Sequence, residues 1–173
     1  MGVRDFRFES VWDVPAPTSE VWAELERALH AGGAPVWWPA VRLEPGLLEP
    51  GAFEPGVLGP DVLRPDVLRR GARCGMRVRS PLGNVLGVVL TLERVVPGQS
   101  IAASSAGDLQ GAGELTLEAT AGGGTRIRWV WCVRTMRPAM SAVAGVLHPL
   151  FSALHARVMR DGERGLRAHL GGG

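Results

Sequence analysis

Strict alternation of apolar and polar residues in two distant segments constrains the fold of this chain more than any other feature. In residues 6–14 and again in residues 125–134, every second side chain is mostly apolar and the residues between are mostly charged. Successive side chains of a β-strand point to opposite faces of a sheet, so the pattern predicts two half-buried strands. The residues predicted to face inward are Phe6, Phe8, Ser10, Trp12 and Val14 in the first segment, and Ile127, Trp129, Trp131 and Val133 in the second.

Residues 113–119 alternate in the same way, and Gly122-Gly123-Gly124 turn the chain before the strand at 125–134. The two segments are predicted to form an antiparallel hairpin whose outward rows carry opposite charges. Each ion pair across such a hairpin contributes about 0.2–1 kcal/mol. The expected partners are Glu114 and Glu118 on the first strand and Arg126 and Arg128 on the second.

Three further strands are predicted between these segments, at residues 73–79, 85–96 and 99–106. In the first of them Cys74, Met76 and Val78 share one face and alternate with arginines. Gly107 to Gly111 interrupt the sheet with a bend or a bulge. Asp108, between glycines, is expected to cap that turn, and contact with a ligand is the alternative.

Helices are predicted near both ends of the chain. Residues 19–31 carry an apolar stripe of Val21, Trp22, Leu25 and Leu29, and Gly32-Gly33 end the helix. Thr18 is expected to cap its first turn. Residues 139–147 are also expected to be helical, with a kink or a fresh start at Pro149 and a long helix from there to Leu170. Gly162 and Gly165 are expected to weaken that helix.

Residues 44–68 consist of five tandem five-residue units, each with Pro second and Gly or Asp third. These residue types favour turns, and recurrent proline excludes a central strand. We expect a Pro/Gly-rich loop at 44–70 inside a single domain spanning 1–173. This loop is either a lid over a pocket or a neutral insertion. The second alternative rests on the small entropic cost of added length in surface loops.

Charge and cysteine content exclude several classes of function. The net charge is +2, and the 19 basic residues, all arginine, alternate with acids along the chain instead of forming a basic stripe. Binding of nucleic acid is therefore not expected. No apolar run approaches the about 20 residues that span a bilayer, and the charged start lacks a secretory signal, so we expect a cytoplasmic protein. Two cysteines, Cys74 and Cys132, are expected to be buried free thiols, with no metal site and no cofactor.

The order of these elements resembles the helix-grip fold of the START, polyketide cyclase and plant-allergen superfamily, called SRPBCC. The opening FESVWDVPAPTSEVW resembles its first strand and helix, and Trp37-Trp38-Pro39 resembles its tryptophan-proline turn. Gly107-Asp108-Leu109, with Gly111 and Gly113 after it, resembles the segment before one of its later strands. The segments GELTLEATAGGGTRIRWVW and HPLFSALHARVMRDGERGL are similar to its last hairpin and terminal helix. The resemblance covers most of the chain except 44–70.

This resemblance implies an α+β helix-grip fold, in which a curved antiparallel sheet wraps around a long C-terminal helix. It also implies a cavity between the two that holds a hydrophobic small molecule. Members of the superfamily bind lipids, sterols or polyketides, and some catalyse cyclisation, aromatisation or dehydration. They share no universal catalytic motif, so the fold alone does not define the function.

Candidate ligand-binding residues are large side chains on the predicted inward faces and on the terminal helix. Packing in the core is the alternative for each tryptophan. The candidates are Trp12, Trp37, Trp38, Met76, Trp129, Trp131, Phe151 and His155.

His155 is the candidate catalytic residue, because the resemblance places a histidine at this position of the helix. A neutral imidazole facing a cavity can act as a general acid or base, and a purely structural histidine is the alternative. His148 lies two helical turns away, too far to share a metal ion with it. Four arginines that could polarise a ligand oxygen are expected on the solvated face instead: Arg77, Arg79, Arg128 and Arg134.

Three functions follow from these observations. The first is binding or carriage of a hydrophobic small molecule, which predicts a cavity lined by apolar side chains. The second is a polyketide cyclase, aromatase or dehydratase, which predicts polar groups such as His155 and an arginine converging inside that cavity. The third is a co-chaperone-like interaction module, which predicts a filled interior and an exposed apolar patch on residues 44–68. The oligomeric state is left open.

Overall fold

A computed structural model describes residues 5–45, 68–81, 83–135 and 138–172, with the side chains of the last helix described from Ser152 onward. The described strands form one seven-stranded antiparallel sheet in the order β1-β7-β6-β5-β4-β3-β2. The elements in chain order are β1 (Asp5–Val14), α1 (Thr18–Ala31), β2 (Val41–Pro45), β3 (Arg73–Arg79), β4 (Val85–Val96), β5 (Ser100–Gly107), β6 (Leu109–Ala119), β7 (Thr125–Thr135) and α2 (Pro138–Gly171).

The sheet curls around α2, so the architecture is the predicted α+β helix grip. In β4 the pairing register shifts between Leu92 and Arg94, and such a bulge bends a strand and increases its twist. The loop predicted at 44–70 lies outside the described residues except at its ends. Glu44 and Pro45 finish β2, and Leu68 is buried in the core.

The inward and outward faces predicted from the alternation are confirmed. Trp12 lies opposite Ile127, and Phe8 opposite Trp131, in the β1–β7 pair. Leu117 lies opposite Ile127 across the β6–β7 hairpin. These rows form the concave face of the sheet, and the fully buried Trp12 and Ile127 lie at its centre.

The ion pairs predicted within the β6–β7 hairpin form elsewhere. Arg126 donates to Asp13 at 2.8 Å and Arg128 donates to Glu9 at 2.8 Å, both across the β1–β7 pair. Each carboxylate raises the pKa of its arginine. Glu114 pairs instead with Arg94 on β4. β7 lies between β1 and β6, and both of these strands carry acidic residues. The arginines of β7 contact the acids of β1.

The bend predicted around Asp108 is confirmed, and this residue joins two strands. Its backbone N–H donates to the carbonyl of Gly87 at 3.0 Å, and its carboxylate accepts from the N–H of Gly87 at 2.8 Å. Gly107 before it has a φ of 105°, a backbone conformation that side chains with a Cβ rarely adopt. The described contacts of Asp108 agree with the turn role.

Helix α1 begins one residue earlier than predicted, and Thr18 is its first residue instead of its cap. Pro17 occupies the N-cap position, where no side chain caps the helix. Its carbonyl accepts the N–H groups of Glu20 and Val21. Gly32, with a φ of 65°, ends the helix as predicted.

Helix α2 is continuous from Pro138 to Gly171, so the chain makes no fresh start at Pro149. Its 34 residues span about 50 Å at the usual rise of an α-helix. Although this length could cross a bilayer, no helix among the described residues has an apolar stretch long enough to do so.

Gly162 and Gly165, predicted only to weaken α2, allow it to approach the turn between α1 and β2. A Cβ on Gly165 would lie 1.9 Å from the carbonyl oxygen of Trp37, and a Cβ on Gly162 would lie 2.7 Å from the indole of Trp38. Neither position therefore has room for a methyl group. These two glycines bring the helix backbone into direct contact with the Trp37-Trp38 turn.

We predict that Gly165→Ala lowers the free energy of unfolding by about 1–3 kcal/mol, the range for overpacking a rigid site. An exposed helical glycine shows the opposite effect, because alanine is favoured there by about 1 kcal/mol. Urea unfolding measures the change. The control is Ala156→Gly on the exposed side of α2, which reports helix propensity alone. A stabilised Gly165→Ala variant would contradict the close packing.

Candidate functional site

The concave face has two ends that differ in burial. At the closed end, side chains from the sheet and α2 are almost fully buried: Trp12, Leu117, Ile127 and Leu166. At the open end, side chains point to the same side of the sheet but are only partly buried: Phe8, Met76, Trp129 and Trp131. A packed interior leaves few voids larger than a water molecule. The inward side chains of the open end are therefore covered less tightly than those of the closed end.

Three tryptophans meet at the boundary between the closed and open ends. The ring centroid of Trp12 lies 5.2 Å from that of Trp38 and 5.0 Å from that of Trp129. Trp38 and Trp129 are 5.8 Å apart in an edge-to-face arrangement. These separations are typical of favourable aromatic pairs. The cluster brings β1, β7 and the turn after α1 together beside α2.

The indole N–H groups divide the tryptophans into two sets. Trp37 donates to Glu24 at 2.8 Å, and Trp38 donates to the backbone carbonyl of Val158 at 3.0 Å. The buried N–H groups of Trp12 and Trp129 have no acceptor among the described residues. An unpaired buried donor costs about 1–3 kcal/mol, so these two groups require an explanation.

Trp131 lies flat against the sheet because its neighbour on β6 is glycine. Gly113 is opposite Trp131 in the register. A Cβ on Gly113 would lie 2.5 Å from two atoms of the indole ring. The ring therefore covers the backbone of β6 at this position.

His155 lies on the inward side of α2 and stacks on Phe8 of β1. The two ring centroids are 4.4 Å apart, with an angle of 24° between the planes. Burial lowers the pKa of His155 to about 4, so the imidazole is neutral at pH 7. A neutral imidazole keeps one donor and one acceptor nitrogen, and burial makes it a weak base.

The remaining candidates occupy different positions. Met76 faces inward on β3, between Leu43 and Val88 of the neighbouring strands. The side chains of Phe151 and His148 lie outside the described residues. Ser105 was not predicted from the sequence, yet its hydroxyl is buried without a partner. Its inward position follows the alternation of Ile101 and Ala103 in β5, which was the available signal.

The four candidate arginines lie on the outward face, as predicted. Arg77 and Arg79 alternate with the inward Met76 and Val78, and Arg77 pairs with Glu44 at 3.1 Å. Arg128 and Arg134 are likewise exposed. All four therefore lie on the opposite side of the sheet from His155.

No group of residues in the described part of the chain is arranged to hold a metal ion. Cys74 is buried as predicted, and burial raises the pKa of its thiol. Cys132 is exposed, contrary to prediction, because it occupies an outward position of β7. There it accepts a hydrogen bond from Arg7 at 3.7 Å.

A surface groove of about 500 Å³ runs along the exposed side of α2. Its lining residues are all charged: Arg157, Arg160, Asp161, Glu163 and Arg164. Since an apolar ligand requires apolar walls, this groove is not the predicted binding cavity.

Solved structures share this architecture over almost the whole chain. The Zhui aromatase/cyclase from a Streptomyces species is 16% identical, with a TM-score of 0.65 and coverage of 96% of this chain and 94% of that one. The protein TTHA0849 from Thermus thermophilus is 20% identical, with a TM-score of 0.62 and coverage of 96% and 97%. Ara h 8.0201 is 13% identical, with a TM-score of 0.56 and coverage of 94% and 98%.

No protein-family model matches the chain, and no curated protein matches it in sequence. These structural matches confirm the predicted helix-grip fold. The chain thus has the helix-grip architecture. At these identities the comparison defines the fold and not the ligand.

We predict that His155 makes stability depend on pH. Its pKa is about 4 in the folded protein and near 6.5 when unperturbed, so the unfolded chain binds a proton more readily. Stability is therefore lost as the pH falls from 6.5 toward 4. When the pH is lowered from about 7 to about 5, the free energy of unfolding should fall by about 1–2 kcal/mol more in the native protein than in His155→Gln. Urea unfolding at the two pH values measures the difference.

The control for this measurement is His30→Gln on the exposed side of α1. The same change at this exposed position reports the effect of a histidine-to-glutamine substitution that removes no buried ring. Equal pH dependence of the native protein and His155→Gln would mean that the imidazole is not buried.

Proposed function

We propose that this protein binds a hydrophobic small molecule between the concave face of the sheet and α2. The partial exposure of the open end is the observation that carries the proposal, because those side chains lie on the concave face and still retain accessible surface. Their aromatic and thioether groups suit an apolar guest. The fold supports the same function, since related architectures typically bind hydrophobic ligands.

The proposed contacts come from the sheet and the helix together. Met76, Trp129 and Trp131 line the sheet side, and His155 lines the helix side. Trp12 closes the bottom of the site. Trp37 and Trp38, whose N–H groups are bonded within the protein, support that bottom from behind. Phe151 stays a predicted contact outside the described side chains.

We predict that Met76→Trp abolishes binding of a neutral apolar dye such as Nile red while leaving the protein folded. A larger side chain at the open end fills the proposed space, so it displaces the dye and costs little stability. In a fully packed interior the same change would cost about 1–3 kcal/mol. Dye titration and urea unfolding on the same variant distinguish the two cases.

The matched control is Val11→Trp, which adds the same ring to the outward face of β1, where Val11 is 47% exposed. It should leave dye binding unchanged. Equal binding by the native protein and Met76→Trp, or no binding by either, would contradict the proposal. Native mass spectrometry of freshly purified protein adds an independent readout, since a retained ligand raises the mass of the folded form.

A polyketide cyclase, aromatase or dehydratase is the second candidate, and His155 is the observation that favours it. The imidazole is neutral and stacks on a residue of the open end. Against it, a pKa of about 4 makes the imidazole a poor base at neutral pH. The candidate arginines also lie on the opposite face of the sheet. Turnover of a poly-β-keto thioester by the native protein and not by His155→Gln would favour catalysis.

The interaction-module alternative has less support. Among the described residues, the large apolar side chains that are exposed are Val11, Val36 and Val85. They lie on β1, in the loop after α1 and on β4, and residues 46–67, where the patch is predicted, lie outside the described residues. The cytoplasmic localisation stays a prediction.

A further inference from the structure

Strand β1 is an edge of the sheet, and among the described strands it pairs only with β7. In an antiparallel ladder, successive residues direct their backbone N–H and C=O groups alternately toward the neighbouring strand and away from it. The backbone of Asp13 points away from β7. Its N–H donates to the Glu163 carboxylate at 3.1 Å, and its carbonyl accepts from Arg167 at 2.7 Å. Two side chains of α2 therefore close the free edge at this residue.

The same alternation directs the backbones of Arg7, Glu9 and Val11 toward the free edge. No residue in the described ranges bonds to their outward N–H and C=O groups, in contrast to Asp13. Unpaired backbone groups on an exposed edge are a template for pairing with another strand. The open part of this edge runs from Asp5 to Val11.

The side chains along the open edge carry opposite charges and are accessible. The side chains of Arg7 and Glu9 are 60% and 41% exposed, and Val11 is 47% exposed. Arg7 lies 3.5 Å from Glu9 of its own strand, and Glu9 also pairs with Arg128 at 2.8 Å. A strand with one cation and one anion two residues apart can be complementary to an antiparallel copy of itself.

The position of a two-fold axis decides which side chains would meet in such a pairing. An axis at Arg7 places two arginines opposite each other, and an axis at Glu9 places two glutamates opposite each other. Like charges directly opposite destabilise an antiparallel pair. An axis at Phe8 places Arg7 of each copy opposite Glu9 of the other. It also places the partly buried Phe8 side chains opposite each other on the concave side, and aromatic cross-strand pairs are favourable.

We propose that two copies of this chain pair antiparallel through residues 5–11 of β1, with Phe8 at the two-fold axis and Arg7 facing Glu9 of the second copy. The two sheets then join into one continuous sheet. Because the same edge is used on both copies, the interface closes on itself and the assembly stops at a dimer. The pairing uses the outer edge of the sheet and does not depend on the proposed ligand.

The test measures the mass of the full chain by sedimentation over a range of protein concentrations. The native protein should form a dimer that dissociates on dilution. Glu9→Arg places two cations opposite each other at both symmetry-related positions, so it should raise the dissociation constant about 10-fold or more. Arg7→Glu should have the same effect through opposed anions. The control is Glu118→Arg, which makes the same charge change at an exposed position of β6 and should dimerise like the native protein.

A mixture of the two edge variants distinguishes lost charge pairing from misfolding. Glu9→Arg and Arg7→Glu should each be monomeric at concentrations where the native protein is a dimer. When one copy of each variant pairs in the proposed register, both opposed positions again join a cation to an anion. An equimolar mixture should therefore recover the dimer.

Three results would overturn the pairing. A native protein that stays monomeric at the highest concentrations measured would leave the edge to an extended segment of another protein or to another part of this chain. A dimer that Glu9→Arg weakens no more than Glu118→Arg does would form through a different surface. A mixture of the two edge variants that stays monomeric would exclude the register with Phe8 at the axis.

Discussion

The contact between α2 and the Trp37-Trp38 turn is the constraint on which the rest of the structure depends. Two glycines remove the Cβ atoms that would otherwise separate helix and turn. The indole of Trp38 then reaches the carbonyl of Val158 on the helix backbone. Because the helix is fixed at this point, it can pack tightly at one end of the concave face and leave the other end accessible.

The division of the sheet into faces was predictable from sequence, because side chains alternate across a strand regardless of what surrounds it. The rows containing Trp12, Trp129 and Met76 were assigned to the inward face on that basis, and the arginines to the outward face. The hairpin turn and the bend at Asp108 were predictable as well, since glycines there supply local turn chemistry. The resemblance to the helix-grip fold predicted where the terminal helix packs, which the alternation of side chains alone does not give.

The partners of individual groups were not predictable, because they depend on which strands become neighbours. Arg126 and Arg128 have acids within their own hairpin, yet they contact the acids of β1, which is distant in sequence. The indoles of Trp37 and Trp129 are chemically alike, and only the folded chain gives an acceptor to the first. The role of Gly113 was equally hidden, since a glycine in a strand does not reveal which ring covers it.

Glu24 adds a property that concerns how the closed end assembles. This carboxylate is 4% exposed, and it accepts from Trp37, pairs with Arg27 and lies 3.4 Å from a nitrogen of His169 near the end of α2. A buried charge is tolerated only when its partners are all in place. The first helix, the aromatic turn and the last turn of the chain must therefore come together cooperatively, and partial docking at this end is penalised.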